Sequence, residues 1–223
     1  MHMRSHFYAV LLLVALPATF AQAALRSPQV SVTGTALQTF FTSQGQSINV
    51  SAAQQDLQSF TFPAFSSFDL HLFGSSSTTF GGYNASAAVP PLYLLFPGAA
   101  SAGWFTTAGF RDGPARVVLN MFDNNSAFVG TTTYLGADRL DFGFYDASVG
   151  GTFYTQDARN PGGLPNILVF SGTGSLAGST WFACETGAGP GGDFADTIML
   201  LGFSTAPVPT TPTTWSRVKA LFH

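Results

Sequence analysis

Apolar and polar residues alternate along this chain in short runs, and that period of two restricts the folds it can reach. Phe60 and Phe62, then Phe68, Leu70 and Leu72, alternate with polar partners. Tyr93-Leu94-Leu95-Phe96 follows Pro90-Pro91 and stops at Pro97-Gly98. Val117, Leu119 and Met121 alternate up to Asp123-Asn124-Asn125-Ser126, a turn signal, and Phe128-Val129 begins the return. That is a β-hairpin pattern. Further strands are expected at 140–145, 152–155, 167–171, 180–184 and 197–203. Short strands separated by Gly, Pro and Asn turns predict an all-β, antiparallel, β-sandwich or jelly-roll-like domain over residues 60–204. Residues 24–59 fit less well: Ile48, Val50 and Leu57 sit in a Gln-rich stretch that suits an N-terminal strand, a short helical turn and irregular chain.

The two ends differ from this core. Arg4 and His6 precede an apolar run over 7–16, broken by Pro17, and Ala21-Gln22-Ala23 supplies the small residues that a signal peptidase reads. The run is about ten residues, too short to cross roughly 30 Å of hydrocarbon. Residues 1–23 are therefore expected to be a signal peptide, with a secreted or cell-surface mature chain starting near Ala24 and no membrane span. At the other end, residues 205–214 form a Pro/Thr linker. Residues 215–223 place Trp215, Val218, Leu221 and Phe222 near one side of a short amphipathic helical tail, with Arg217 and Lys219 beside them.

Of the 8 basic residues, Arg4 alone falls within the leader, which leaves 7 against 11 acidic ones and a net charge of −4. Nucleic acid and anionic membrane surfaces reward a basic face, so neither is an expected partner. Only 9% of residues are charged while Phe occurs 23 times, so apolar surface is ample for a core. The one cysteine, Cys184, follows Trp181 and Phe182 in an expected strand and reads as a buried thiol or an interchain bridge. No intrachain disulfide is available.

Three motifs carry a resemblance. Phe153-Tyr154-Thr155 precedes the turn Asn160-Pro161-Gly162-Gly163; Ile167-Leu168-Val169-Phe170 follows it; and Glu185 is followed by Gly191-Gly192-Asp193-Phe194-Ala195-Asp196 and an apolar strand. In this order they resemble a bacterial extracellular family of unknown function (DUF forty-one fourteen), best over residues 153–203 and more loosely from residue 60. The family's turn carries an acidic residue, often followed by an Asp-His pair, where this chain has Gly162, Gly163, Leu164 and Pro165. Ala195 stands where the family commonly has Asn. A cation site implied by the resemblance is short of ligands here.

The acidic loop is the best candidate for chemistry. Asp193 and Asp196 flank a tight turn entering a strand, and Glu185 ends the strand before it. If those strands pair, three carboxylates and glycine-loop carbonyls converge, with Asp157 and Asn160 able to add oxygens from a neighbouring turn. Hard oxygen ligands in irregular geometry suit Ca²⁺. The competing reading is structural: aspartates in such turns accept backbone N–H groups without any metal.

Catalysis has little to build on. After the leader the histidines are His71 and His223, Glu185 is the sole Glu, and there is no Gly-x-Ser-x-Gly elbow. Pairing Glu185 with Asp69 or Asp141 as a glycosidase couple is arbitrary. Trp104-Phe105, Tyr83 and Tyr134 could stack on sugars if exposed. The expectation is a secreted, non-catalytic, cell-surface or matrix module, stabilised by calcium. A lectin-like glycan-binding protein is the alternative, and a polysaccharide hydrolase or lyase the third reading.

Overall fold

A computed structural model describes residues 23–74, 78–111, 115–187 and 191–204. The expected leader, but for Ala23, and the tail after residue 204 lie outside the described residues. Twelve strands form two antiparallel sheets, as the alternation predicts. They are β1 (Gln54–Gln55), β2 (Ser67–Gly74), β3 (Thr79–Asn84), β4 (Leu92–Phe96), β5 (Phe105–Arg111), β6 (Arg116–Phe122), β7 (Phe128–Leu135), β8 (Phe142–Ser148), β9 (Gly151–Tyr154), β10 (Ile167–Ser171), β11 (Thr180–Cys184) and β12 (Thr197–Ser204). The large sheet runs β1-β10-β11-β12-β2-β5-β6-β7, and the small one β4-β3-β8-β9.

Phenylalanine fills the space between the sheets. Phe62, Phe68, Phe110, Phe142, Phe144 and Phe182 are all fully buried, and their rings stack or meet edge to face, as with Phe62 and Phe110 at 5.0 Å. Such pairs add roughly 0.5–1.5 kcal/mol each beyond area burial. The small sheet admits this crowding through glycine: a Cβ on Gly82 would lie 2.1 Å from the Phe142 ring.

A second core lies on the outer face of the large sheet. Helix α1 (Ala36–Ser43) turns Leu37 and Phe41 onto Leu168, Phe170, Trp181, Ala183 and Leu200, joined by Ile48, Val50 and Phe194. Residues 24–53 are thus a cover laid across β10, β11 and β12, and β1 leads from it into the sheet edge. Gln54 sews them down: its side chain donates to the carbonyls of Val30 (2.8 Å) and Val50 (2.9 Å) and accepts from Val30 N–H. Among the described residues, no helix is long and apolar enough to cross a membrane.

Candidate functional site

The pairing that the acidic loop depends on exists. β11 runs antiparallel to β12 with Cys184 opposite Thr197, so Glu185 and Asp196 follow on facing strand ends. Glu185 folds over the loop: Oε2 accepts Phe194 N–H (3.2 Å) and Oε1 accepts Gly187 N–H (3.2 Å). This pose requires Gly192, where a Cβ would stand 1.8 Å from Glu185 Oε2. Phe194 holds the turn at φ +52°, a left-handed conformation costly for a bulky residue, anchored by a fully buried ring. Asp196 Oδ2 accepts both the N–H (2.8 Å) and the hydroxyl (2.7 Å) of Thr186.

The two carboxyls titrate as a pair. Burial raises Glu185, with the Asp196 charge adding to it against two backbone N–H bonds. Burial also opposes ionisation of Asp196, but the Thr186 hydroxyl and N–H and the Glu185 carboxyl outweigh it and hold Asp196 below the usual range. Glu185 is therefore the weaker acid of the pair and Asp196 the stronger.

The remaining expected ligands go elsewhere. Asp193 Oδ1 caps its own turn through Ala195 N–H (3.0 Å). Asp157 forms an ion pair with Arg26. Asn160 binds both backbone groups of Tyr154, accepting its N–H (2.7 Å) and donating to its carbonyl (2.9 Å). Asn160 and Asp157 follow the Tyr154 end of β9, whereas the acidic loop meets the opposite end of that hairpin, where the Ser148 hydroxyl donates to Thr186 O (3.2 Å). Among the described residues, no three His, Cys, Asp or Glu side chains stand at metal-binding spacing.

A carboxylate that the sequence reading passed over completes this end of the sandwich. Asp146, on β8, is fully buried; neither oxygen makes a hydrogen bond of normal geometry, and the Thr78 hydroxyl nearby is what eases its charge. Burial pushes its pKa up to about 6; the Asp196 charge adds to the shift, and the Thr78 hydroxyl, 3.0 Å from that of Thr197, offsets part of it. The signal was available: Asp146 is in phase with Phe142 and Phe144, the inward residues of its strand. Cys184, buried beside these carboxyls, has its thiol pushed far up by burial and by their charges, so it is inert. No basic side chain among the described residues pairs with Asp146, Glu185, Asp193 or Asp196.

The other candidates are built differently. Ser67, Asp69 and His71 share the outer face of β2, but the acid lies between the other two, whereas a nucleophile triad needs the imidazole there. Tyr83 is fully buried, and Trp104 and Tyr134 are half-buried against the core. Phe105 has both ring faces occupied, by Phe122 at 4.6 Å and 7° and by His71 at 5.5 Å and 19°. Sugar stacking uses an open ring face, and Phe105 offers none. A cleft of about 590 Å³ between β1 and the β10–β11 turn, lined by Leu57, Phe60, Val169 and Thr180, carries no charged side chain.

No protein-family model, curated protein or solved structure matches this chain.

Proposed function

We propose that this chain is an exported, non-catalytic β-sandwich that serves as a cell-surface or extracellular structural and binding module, with calcium bracing its acidic end. One observation carries the reading. Asp196 lies close enough to both Asp146 and Glu185 to shift their titration, Asp193 stands on the same loop, no basic side chain among the described residues pairs with any of the four, and Asp146 is fully buried. Uncompensated buried charge is costly, and a hard divalent cation drawing on carboxylates, the Thr78 and Thr197 hydroxyls and loop carbonyls relieves it. The leader-like first 23 residues and the resemblance of three motifs to an extracellular family support export, into surroundings where millimolar calcium suits a weak site.

Thermal unfolding with millimolar calcium and with a chelator tests this. An ion at a hundred times its dissociation constant adds about 2.7 kcal/mol. That raises the midpoint by a few degrees in a domain of this size. The shift should vanish in the Asp193→Asn/Asp196→Asn double variant. Equal midpoints with and without calcium would leave these carboxylates as turn caps and remove the ion from the reading.

A further inference from the structure

Two open sheets have four edges, and three of these are closed. On β1, Arg26 N–H donates to Gln54 O (2.8 Å), Asp56 N–H to Ala24 O (2.8 Å), and Gln54 N–H to the Gln29 side chain (3.0 Å). β4 lies between Pro90-Pro91 and Pro97, and its Leu94 N–H donates to the Tyr134 hydroxyl (3.1 Å). β9 is four residues long, and the Asn160 amide takes the place of a next strand against Tyr154. Proline, short length and side-chain cover are the ordinary ways to stop an edge from pairing with another chain.

β7 has none of them. Its sequence, Phe-Val-Gly-Thr-Thr-Thr-Tyr-Leu, holds neither a charge nor a proline. Among the described residues its backbone pairs with β6 alone. Phe128, Val129 and Leu135 are all exposed, at 61%, 47% and 68%. Met121 faces Gly130 and Phe122 faces Phe128, so Val129 bulges and the regular edge runs from Gly130 to Leu135. At ~3.3 Å per residue that edge is about 20 Å long.

We propose that this edge is a self-association surface, on which a second copy of the chain adds its own β7 antiparallel across a twofold axis at Thr132. Such an axis pairs residues symmetric about its centre. Thr131 then faces Thr133, Gly130 faces Tyr134, and Val129 meets Leu135. Opposed threonines hydrogen-bond. An axis at Thr133 instead sets Gly130 against Gly136 and Thr131 against Leu135, and one at Thr131 sets Gly130 against Thr132. The ends agree in charge. The Asp123 turn lies at one end of the β6–β7 hairpin; the other end carries Arg111, Arg116 and Arg139 against Asp138 and, between the first two in sequence, Asp112, a net charge of +1. Asp138 is turned onto Leu140 N–H (2.9 Å). Antiparallel addition brings each copy's acidic end beside its partner's basic end, whereas parallel addition sets like beside like. The same patch serves both copies, so the assembly closes as a dimer.

Strand pairing alone buries less than the roughly 1,200 Å² of a standard interface, so the dimer is expected to dissociate on dilution. Sedimentation velocity of the full chain should show a monomer–dimer equilibrium that shifts across the micromolar range. Thr132→Lys places two ammonium groups on Cβ atoms ~5 Å apart across the axis and should sediment as monomer; Thr132→Glu should do the same. Mixed one to one, the two variants should dimerise again, an outcome that general loss of folding cannot produce. In the unsubstituted protein, amide exchange along 130–135 should slow as concentration rises. A wild-type chain that stays monomeric throughout, a Thr132→Lys variant that still dimerises, a mixture that stays monomeric, or β7 exchange independent of concentration overturns the proposal.

Discussion

The two halves of the large sheet obey different sequence rules, because one has a cover and the other does not. In β10, β11 and β12, Ile167, Val169, Phe182, Cys184, Met199 and Leu201 face the small sheet. Leu168, Phe170, Trp181, Ala183, Ile198 and Leu200 face the N-terminal segment. With both faces dry, the strands read as unbroken apolar runs, a pattern usual in parallel sheets but set here by the cover alone. In β5, β6 and β7 only the inner face is dry. Ala108, Phe110, Val117 and Leu119 point inward. The outer face carries Thr107, Asn120 and Thr131, linked from Thr131 Oγ1 to Asn120 Oδ1 (2.7 Å) and from Asn120 Nδ2 to Thr107 Oγ1 (3.4 Å). What lies on a face decides the residue pattern of these antiparallel strands.

The sharpest way to break the comparison is to open the cover. Phe41 is fully buried, 5.2 Å from the Phe170 ring and 5.6 Å from Trp181. Phe41→Ala should cost about 3–5 kcal/mol, the range for a large aromatic lost from a core. Urea unfolding followed by Trp fluorescence measures it. A cost near 1 kcal/mol would mean that α1 only rests on the sheet and that residues 24–53 are an appendage.

The cover is also where the sequence said least. Strands β10 and β11 were readable to the residue, and β12 to within one, because their apolar runs are bounded by turns. α1 was not placed, because only Leu37 and Phe41 of its eight residues are buried, too few to set up a helical period. β3 was hidden by Gly81-Gly82, which weaken a strand signal although the neighbouring rings require them. β5 was hidden by the small residues Thr106, Thr107, Ala108 and Gly109. At the acidic end, Glu185 and Asp196 were foreseen as neighbours. That Asp193 would turn onto its own backbone, and Asp157 onto Arg26, depends on contacts between distant segments that local pattern does not encode.

A second effect, of up to about 3 kcal/mol, concerns charge beneath the covered half. The folded state holds the Asp146 proton with a pKa of about 6 against an ordinary 3.8, so the folded chain binds that proton more tightly than the unfolded one. Its contribution is fully present below pH 3.8, declines as pH rises to 6, and is absent at neutral pH. Asp146→Asn should therefore raise calcium-free stability at pH 7 by as much as about 3 kcal/mol, at ~1.4 kcal/mol per pKa unit, and flatten the dependence between pH 4 and 6. Denaturant midpoints across that interval decide it. A variant that is less stable at pH 7 without calcium would mean that the carboxylate is already partnered.

The smallest effect belongs to the open half, where Phe105 supplies the contrast with Phe41. Its ring is half-buried and held between His71 and Phe122 rather than roofed by another layer. Phe105→Ala removes the stack on Phe122, worth ~0.5–1.5 kcal/mol, the longer one on His71, and part of the area burial of a full core ring, for a total of about 2 kcal/mol. The same urea titration reads it beside Phe41→Ala. Two phenylalanines outside the same sheet, Phe41 carried by the covering helix and Phe105 by a strand of the open half, should thus differ by a factor of about two. The difference arises because the Phe41 ring lies between helix and sheet, away from water, whereas no layer among the described residues lies above Phe105. If the losses were equal, the open face would be as dry as the covered one, and something would have to lie across β5 and β6 in the folded protein.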